Sequence, residues 1–253
     1  MQDPREDLIL NFDKYKIGLN DTFAFKCREC GNCCKNREDI LLTGRDLFSI
    51  AKTLNMPIPQ AIDTYCDVYI GPSSRVPVIR LLPKGKNLNC PLLVNGKCLV
   101  HTAKPTVCAL FPLGRVSTGE VVEEGIKSNG KIQLHYILNP SDCGGRRKKQ
   151  TVRQWLEMFR IPVEDEFYGL WTHVTMYLSE MLRSFEERKA SEKALTALWN
   201  GVIEALYADY DTSQDFLPQF KVNSEKIMSI VKELNSVFSD VKQLGGFYSE
   251  GET

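Results

Sequence analysis

Four thiols stand within eight residues near the start of the chain, in the order Cys27-Arg28-Glu29-Cys30-Gly31-Asn32-Cys33-Cys34. A packed core uses cysteine singly, as a small apolar residue, and that does not account for this density. The C-x2-C spacing lets two thiolates converge on one ion while the intervening amides point at sulfur. Gly31 can take the positive φ that such a knuckle needs. The chain is therefore expected to fold around bound metal here. The adjacent pair Cys33 and Cys34 adds a condition. On an extended backbone their side chains point to opposite faces, so they serve different ions or one packs while the other ligates. On a helical or kinked backbone both reach one polynuclear cluster. The pair favours more than one metal ion.

Four further cysteines complete the set. Cys90 precedes an Asn95-Gly96 turn and Cys98 lies on its return strand, so the hairpin brings them close. Cys108 follows a Lys104-Pro105 turn, and Cys143 sits in the tight Pro140-Ser141-Asp142-Cys143-Gly144-Gly145 segment. The expected metal- and cofactor-binding residues are thus Cys27, Cys30, Cys33, Cys34, Cys90, Cys98, Cys108 and Cys143. They make two four-thiolate sites, or one cluster with neighbours. Zinc takes tetrahedral sulfur and a 4Fe–4S cluster also takes four cysteines, so both remain open on spacing. The ninth cysteine, Cys66, falls at helical spacing with Ile62 and Tyr69 and reads as a core thiol. His101, at C-x2-H spacing after Cys98, is a secondary ligand candidate. His135 reads as a surface strand residue and His173 as part of a long helix. No residue is assigned a catalytic role.

Charge bears on the partners. Lys+Arg 32 against Asp+Glu 32 gives formal net charge zero, which argues against bulk-charge binding to nucleic acid. The charged start Met1-Gln2-Asp3-Pro4-Arg5-Glu6-Asp7 has no apolar leader, and no run approaches the roughly 20 apolar residues of a membrane span. A cytoplasmic protein is expected, where thiols hold metal rather than pair as disulfides. Eight thiolates with two divalent ions, or with two clusters, carry a formal charge of about −4 and call for cations or amides nearby. Arg28, Lys35, Arg37, Lys97 and the run Arg146-Arg147-Lys148-Lys149 flank the cysteines. That run reads as a solvated loop before a helix, with phosphate or acidic-substrate binding as the alternative.

The expected fold class is α+β: a small antiparallel sheet with irregular cysteine-rich metal-binding segments, then a mostly α-helical C-terminal part. The division falls at residues 22–150 for the cysteine-cluster domain and 151–244 for the helical region. Thr43 to Asp46 fits a capping box that opens a helix carrying Leu47, Ile50, Ala51 and Leu54. A second short helix is expected to carry Ile62, Tyr65, Cys66 and Tyr69, followed by a strand over 76–82. Hairpin turns are expected at Asn95-Gly96, at Ser117-Thr118-Gly119 between strands 113–116 and 120–123, and at Ser128-Asn129-Gly130 between strands 121–127 and 131–138. Thr151 and Gln154 fit another capping box. Three apolar stripes then follow, from Phe167 to Phe185, from Leu195 to Leu206 and from Ile227 to Val241. The tail 245–253 is expected to fray.

As an ensemble, these segments resemble the bacterial and archaeal cysteine-cluster proteins of the YkgJ type, described as a zinc- or iron-chelating domain. The resemblance rests on Phe25-Lys26-Cys27 through Cys34, on Leu42-Thr43-Gly44-Arg45-Asp46, and on Cys90-Pro91-Leu92-Leu93. It continues through Cys98-Leu99-Val100-His101 to Lys104-Pro105-Thr106-Val107-Cys108-Ala109-Leu110-Phe111-Pro112, and through Cys143 before Thr151-Val152-Arg153-Gln154-Trp155-Leu156. It spans roughly residues 23–157, and Cys66 lies outside the pattern. Ala109 stands where the family often has arginine. The resemblance implies metal or iron–sulfur binding by the eight matched cysteines. A related group, the flagellin lysine N-methylases, carries a similar cysteine set and an iron–sulfur cluster, which extends the analogy to modification of a protein or small molecule.

Other motifs fail on context. Gly125-Ile126-Lys127-Ser128-Asn129-Gly130-Lys131 is followed by Ile132 and a strand, which no phosphate loop allows, and no G-x-G-x-x-G follows a strand. The C-x2-C-x2-C-C order is not the C-x3-C-x2-C of radical S-adenosylmethionine enzymes, and it lacks the C-P ending of bacterial ferredoxins. Three readings follow. The first is an iron–sulfur protein, 4Fe–4S in type, with a redox or modifying role. The second is a zinc-stabilised structural or binding module without catalysis. The third is an iron-dependent enzyme with an open metal position at which His101 would matter. The helical part could receive a protein partner or substrate.

Overall fold

The computed structural model describes residues 11–35, 40–118, 133–139 and 143–245. The chain opens with one helical turn, α1 (Phe12–Tyr15), and the short strand β1 (Lys16–Ile17). β2 (Thr22–Lys26) alternates, burying Phe23 and Phe25. After the cysteine knuckle come β3 (Leu41–Leu42), α2 (Gly44–Leu54), α3 (Ile58–Tyr65), β4 (Cys66–Ile70) and β5 (Pro77–Leu81). The hairpin β6 (Leu93–Val94) and β7 (Lys97–Cys98) leads to α4 (Thr106–Leu110). Strands β8 (Leu113–Thr118), β9 (Gln133–Leu138) and β10 (Gly145–Thr151) follow. The remainder is helical: α5 (Val152–Met158), α6 (Glu166–Glu187), α7 (Glu192–Ile203), a π turn over Glu204–Ala208, and α8 (Phe216–Gly245). This is the expected α+β class, with a mostly helical C-terminal part.

The sheet content is divided. Among the described residues, four small antiparallel sheets run β1-β9-β8, β10-β2, β3-β5-β4 and β6-β7. Both capping boxes form as read. The Thr43 hydroxyl accepts from the Asp46 amide while Asp46 accepts from the Thr43 amide, and Thr151 and Gln154 exchange the same bonds. The Asn95-Gly96 turn closes its hairpin with both residues at positive φ, 49° and 75°, the conformation a two-residue hairpin loop selects.

Three expectations are corrected. α3 ends at Tyr65, so Cys66 and Tyr69 lie on strand β4, where Cys66 opposes Leu81 and Tyr69 opposes Val78. Pairing with β5 outweighs the helical spacing. β8 runs on through Thr118, which opposes Gln133, so no turn interrupts it at Ser117-Thr118. The expected strands 120–123 and 121–127 and the Ser128-Asn129-Gly130 turn lie outside the described residues, as does the tail from 246. The basic run is strand β10, paired with β2 across a bulge between Gly145 and Lys149. Residues 146–149 are all exposed, so they leave no apolar period to read.

The described residues form two hydrophobic cores. The larger combines Leu42, Leu47, Ile50, Ile79 and Leu92 with the helical stripes, including Leu178, Leu182, Phe185, Leu206, Phe220 and Val231. Tyr207 donates its hydroxyl to the Pro77 carbonyl and Trp199 donates Nε1 to the Arg75 carbonyl, which seats the helices on β5 and its leading turn. The smaller core gathers Phe23, Phe25, Leu110, Leu113, Tyr136, Val152, Trp155 and Leu156. Trp155 donates Nε1 to the Leu110 carbonyl at 3.0 Å and satisfies its buried donor. Cys66, Cys90, Cys98 and Cys108 pack against the larger core and Cys27 against the smaller. All of these but Cys66 line one cavity at the seam between the two.

Candidate metal centre

Each cysteine reaches that seam by a local device. Cys27 follows the last residue of β2. Glu29 turns into the left-handed region at φ 53°, which aims its amide at the Cys27 sulfur, 3.4 Å away. Gly31 follows at φ 70° and leads a 3-10 turn over Asn32–Cys34. That turn decides between the two readings of the adjacent pair. The backbone is kinked rather than extended, and the Cys33 and Cys34 sulfurs lie 4.0 Å apart on one cavity.

The later cysteines are tied to the first four by backbone. The Cys90 amide donates to the Cys34 carbonyl at 2.7 Å. Leu93, opposite Cys98 in the hairpin, packs beneath Gly31. Cys108 lies on α4, whose first amide, that of Thr106, donates to the Asp46 carboxylate at 2.8 Å. One buried carboxylate thus caps α2 and holds the Cys108 helix. Cys143 approaches Cys30 to 3.7 Å between sulfurs. Gly144 beside it stands at φ 84°, and a side chain there would run into the Phe25 ring.

All eight expected residues, Cys27, Cys30, Cys33, Cys34, Cys90, Cys98, Cys108 and Cys143, line a single cavity of about 60 Å³. That is several times the room one water needs. None of the nine cysteines is in a disulfide. Cys66 is not part of this wall, and burial pushes its thiol up to about 12. Leu81, Leu93, Val107 and Phe111 supply apolar wall, while Glu29, His101 and Lys104 supply the charged or polar edge. His101 Nε2 stands 3.7 Å from Glu29 Oε1. Lys104 is a cation that spacing did not single out. Its signal was the fixed turn before Pro105.

The electrostatics follow from crowding. The Cys33 side chain and then burial push the Cys34 thiol up, with repulsion from Cys33, Cys90 and Cys108 added. Burial first, then Cys98 and Cys33, raises Cys90. Burial and the Cys30 sulfur raise Cys143 to about 11. Cys30 moves the other way because the Asn32 amide and the Cys143 thiol donate to its sulfur. Thiolates this close need a positive guest. An all-sulfur donor set fits zinc or iron and suits magnesium or calcium poorly. Two thiolates on one zinc ion at about 2.3 Å stand about 3.8 Å apart in tetrahedral geometry, close to the Cys30–Cys143 and Cys33–Cys34 separations. Among the described residues, no three His, Cys, Asp or Glu side chains stand close enough together to hold an ion as they are.

Residues 26–133 match the CxxCxxCC family model, whose description reads "Putative zinc- or iron-chelating domain". The match lies at the front of the chain. The match supports metal binding by the segment and bears out the resemblance read from its motifs. No curated protein and no solved structure matches the chain significantly. The cysteine-cluster match ends before Cys143, yet that sulfur is the one lying against Cys30. Among the described residues no helix is long and apolar enough to cross a membrane.

Proposed function

We propose that the eight cysteines supply the ligands of an iron–sulfur centre, either one 4Fe–4S cluster held by four of them or two clusters held by all eight, and that the protein has a redox or modifying role. The observation that supports this reading is the single cavity. Eight thiols face one space, twice what one tetrahedral ion takes. The ligands would be drawn from Cys27, Cys30, Cys33, Cys34, Cys90, Cys98, Cys108 and Cys143, with Lys104 at the edge to offset charge. Such a cluster supplies one-electron transfer when bound. The chain's own part is to shield it with Leu81, Leu93 and Phe111 and to aim the Glu29 amide at a sulfur. In this reading residues 22–150 form the metal-holding unit and 151–244 support it from the larger core.

A specific observation favours a second reading. Sulfur separations of 3.7 and 4.0 Å suit two thiolates on one ion better than corner ligands of a cluster, so a zinc–thiolate centre that fastens the two cores is the alternative. Protein purified without oxygen decides between them. Brown protein absorbing near about 400 nm and bleached by dithionite carries the first. Colourless protein with stoichiometric zinc, whose removal unfolds the N-terminal part, carries the second.

A further inference from the structure

Beside the thiol cavity lies a larger cleft of about 440 Å³, within the usual range for small-molecule sites. Its walls are aromatic: Phe25, Trp155 and Phe159. Three cations also line it, from three different places in the fold. Lys26 ends β2, Lys148 comes from the basic run on the paired strand β10, and Arg160 from the turn after α5. No carboxylate lines the cleft, and none of these three cations is ion-paired among the described residues. Gln150, which is buried, donates Nε2 to the Phe25 carbonyl at 2.7 Å and joins the two strands beneath it. Cys27 and His101 belong to both walls, so the cleft adjoins the thiol cavity.

Arg160 is held in an unusual way. It follows the end of α5 at φ 55°, a position where glycine is the common choice. Keeping a long cation there costs backbone strain that glycine would relieve. The strain buys a third positive group on the rim of an aromatic cleft.

We propose that this cleft binds a small organic anion, with an acidic headgroup on a flat apolar body, against the Cys27 and His101 edge of the cysteine centre. The flat body lies along Phe25, Trp155 and Phe159, and the headgroup faces Lys26, Lys148 and Arg160. The site does not depend on which ion the thiols hold, so its test is read apart from metal content.

The test is a titration of the full chain, as purified, with naphthoate and with its neutral analogue naphthamide. Naphthoate is expected to bind at least about tenfold more tightly than the amide, and added salt to weaken it. Arg160→Gly, which also relaxes the backbone, and Lys148→Gln are each expected to weaken naphthoate by about fivefold or more and leave the amide unchanged. Lys97→Gln, in the hairpin away from the cleft, is expected to change neither. Equal affinity for acid and amide would overturn the proposal. So would wild-type naphthoate binding in both cleft variants with wild-type melting temperatures, or no saturable naphthoate binding up to about 1 mM. Tight binding of an oligothymidylate without binding of naphthoate would assign the cations to nucleic acid instead.

Discussion

Arg45 and Asp165, 120 residues apart in the chain, meet in a two-bonded ion pair, with Nη1 at 2.8 Å and Nη2 at 2.7 Å from the two carboxylate oxygens. Arg115 adds a third bond at 3.0 Å. Asp165 also caps α6 by accepting from the Tyr168 amide. Three segments, α2, β8 and the start of the long helix, are thereby fixed to one buried carboxylate. Burial alone would push that carboxyl up. The Arg45 and Arg115 guanidinium groups more than offset it and hold it below the usual carboxylate range.

Asp165→Asn should therefore lower stability by about 3 kcal/mol, because it leaves two guanidinium groups facing a neutral amide in a desolvated site. Urea unfolding at pH 7 measures this. The sign with pH is fixed. A carboxyl held low in the fold contributes fully above its unfolded value, and that contribution is lost as pH falls through the folded value. The gap between wild type and variant should close in acid.

His173 on α6 is buried, and neither ring nitrogen has a hydrogen-bond partner among the described residues. Burial moves its pKa down from 6.5. The unfolded chain then takes up the proton first, so stability falls as pH drops below about 6.5, by at most about 1.4 kcal/mol per pH unit. His173→Leu should flatten the profile between pH 5.5 and 7.5 relative to wild type. An unchanged slope in the variant would show that the imidazole is not its source.

Gly144→Ala should disturb the site more than its backbone strain of about 1–3 kcal/mol implies, because the methyl group also meets the Phe25 ring beside Cys143. Gly85 has a similar φ of 73° but open space around it, so Gly85→Ala should cost only about 1 kcal/mol. Comparing melting temperature and metal content of the two separates strain from displacement of Cys143. Equal metal content in both would argue that Cys143 is not a ligand.

Asp46→Ala removes the acceptor for the Thr43 and Thr106 amides and hydroxyls at once. A loss of about 3 kcal/mol is expected, together with weaker metal retention, because α4 carries Cys108. Metal loss rate against a chelator gives the second readout. A variant that is destabilised but retains metal as wild type does would make Asp46 a helix cap and nothing more.

What the sequence made legible was local. Two capping boxes, the Asn95-Gly96 hairpin and the helices of the three apolar stripes each depend on neighbours within a few residues, and these elements formed, though Ile230 and Val237 of the third stripe are exposed. The thiols could be recognised because their chemistry leaves few other uses for them. What stayed hidden needed distant partners. β10 shows four consecutive exposed cations with no period, so only its pairing with β2 makes it a strand. β2 itself did carry a signal, the alternation Thr22-Phe23-Ala24-Phe25-Lys26. The shared face of Cys33 and Cys34 depended on a 3-10 turn that spacing left undecided. The cleft lined by Lys26, Lys148 and Arg160 exists only once β2, β10 and α5 have met.

The central claim is that thiols from distant parts of the chain share one bound metal centre. Native mass spectrometry of anaerobically purified protein tests it most directly, before and after acid denaturation. A mass excess matching iron with sulfide, lost on denaturation together with the release of new reactive thiols, is the predicted result. A native mass equal to that of the bare chain, with the cavity thiols already open to alkylation, would contradict it.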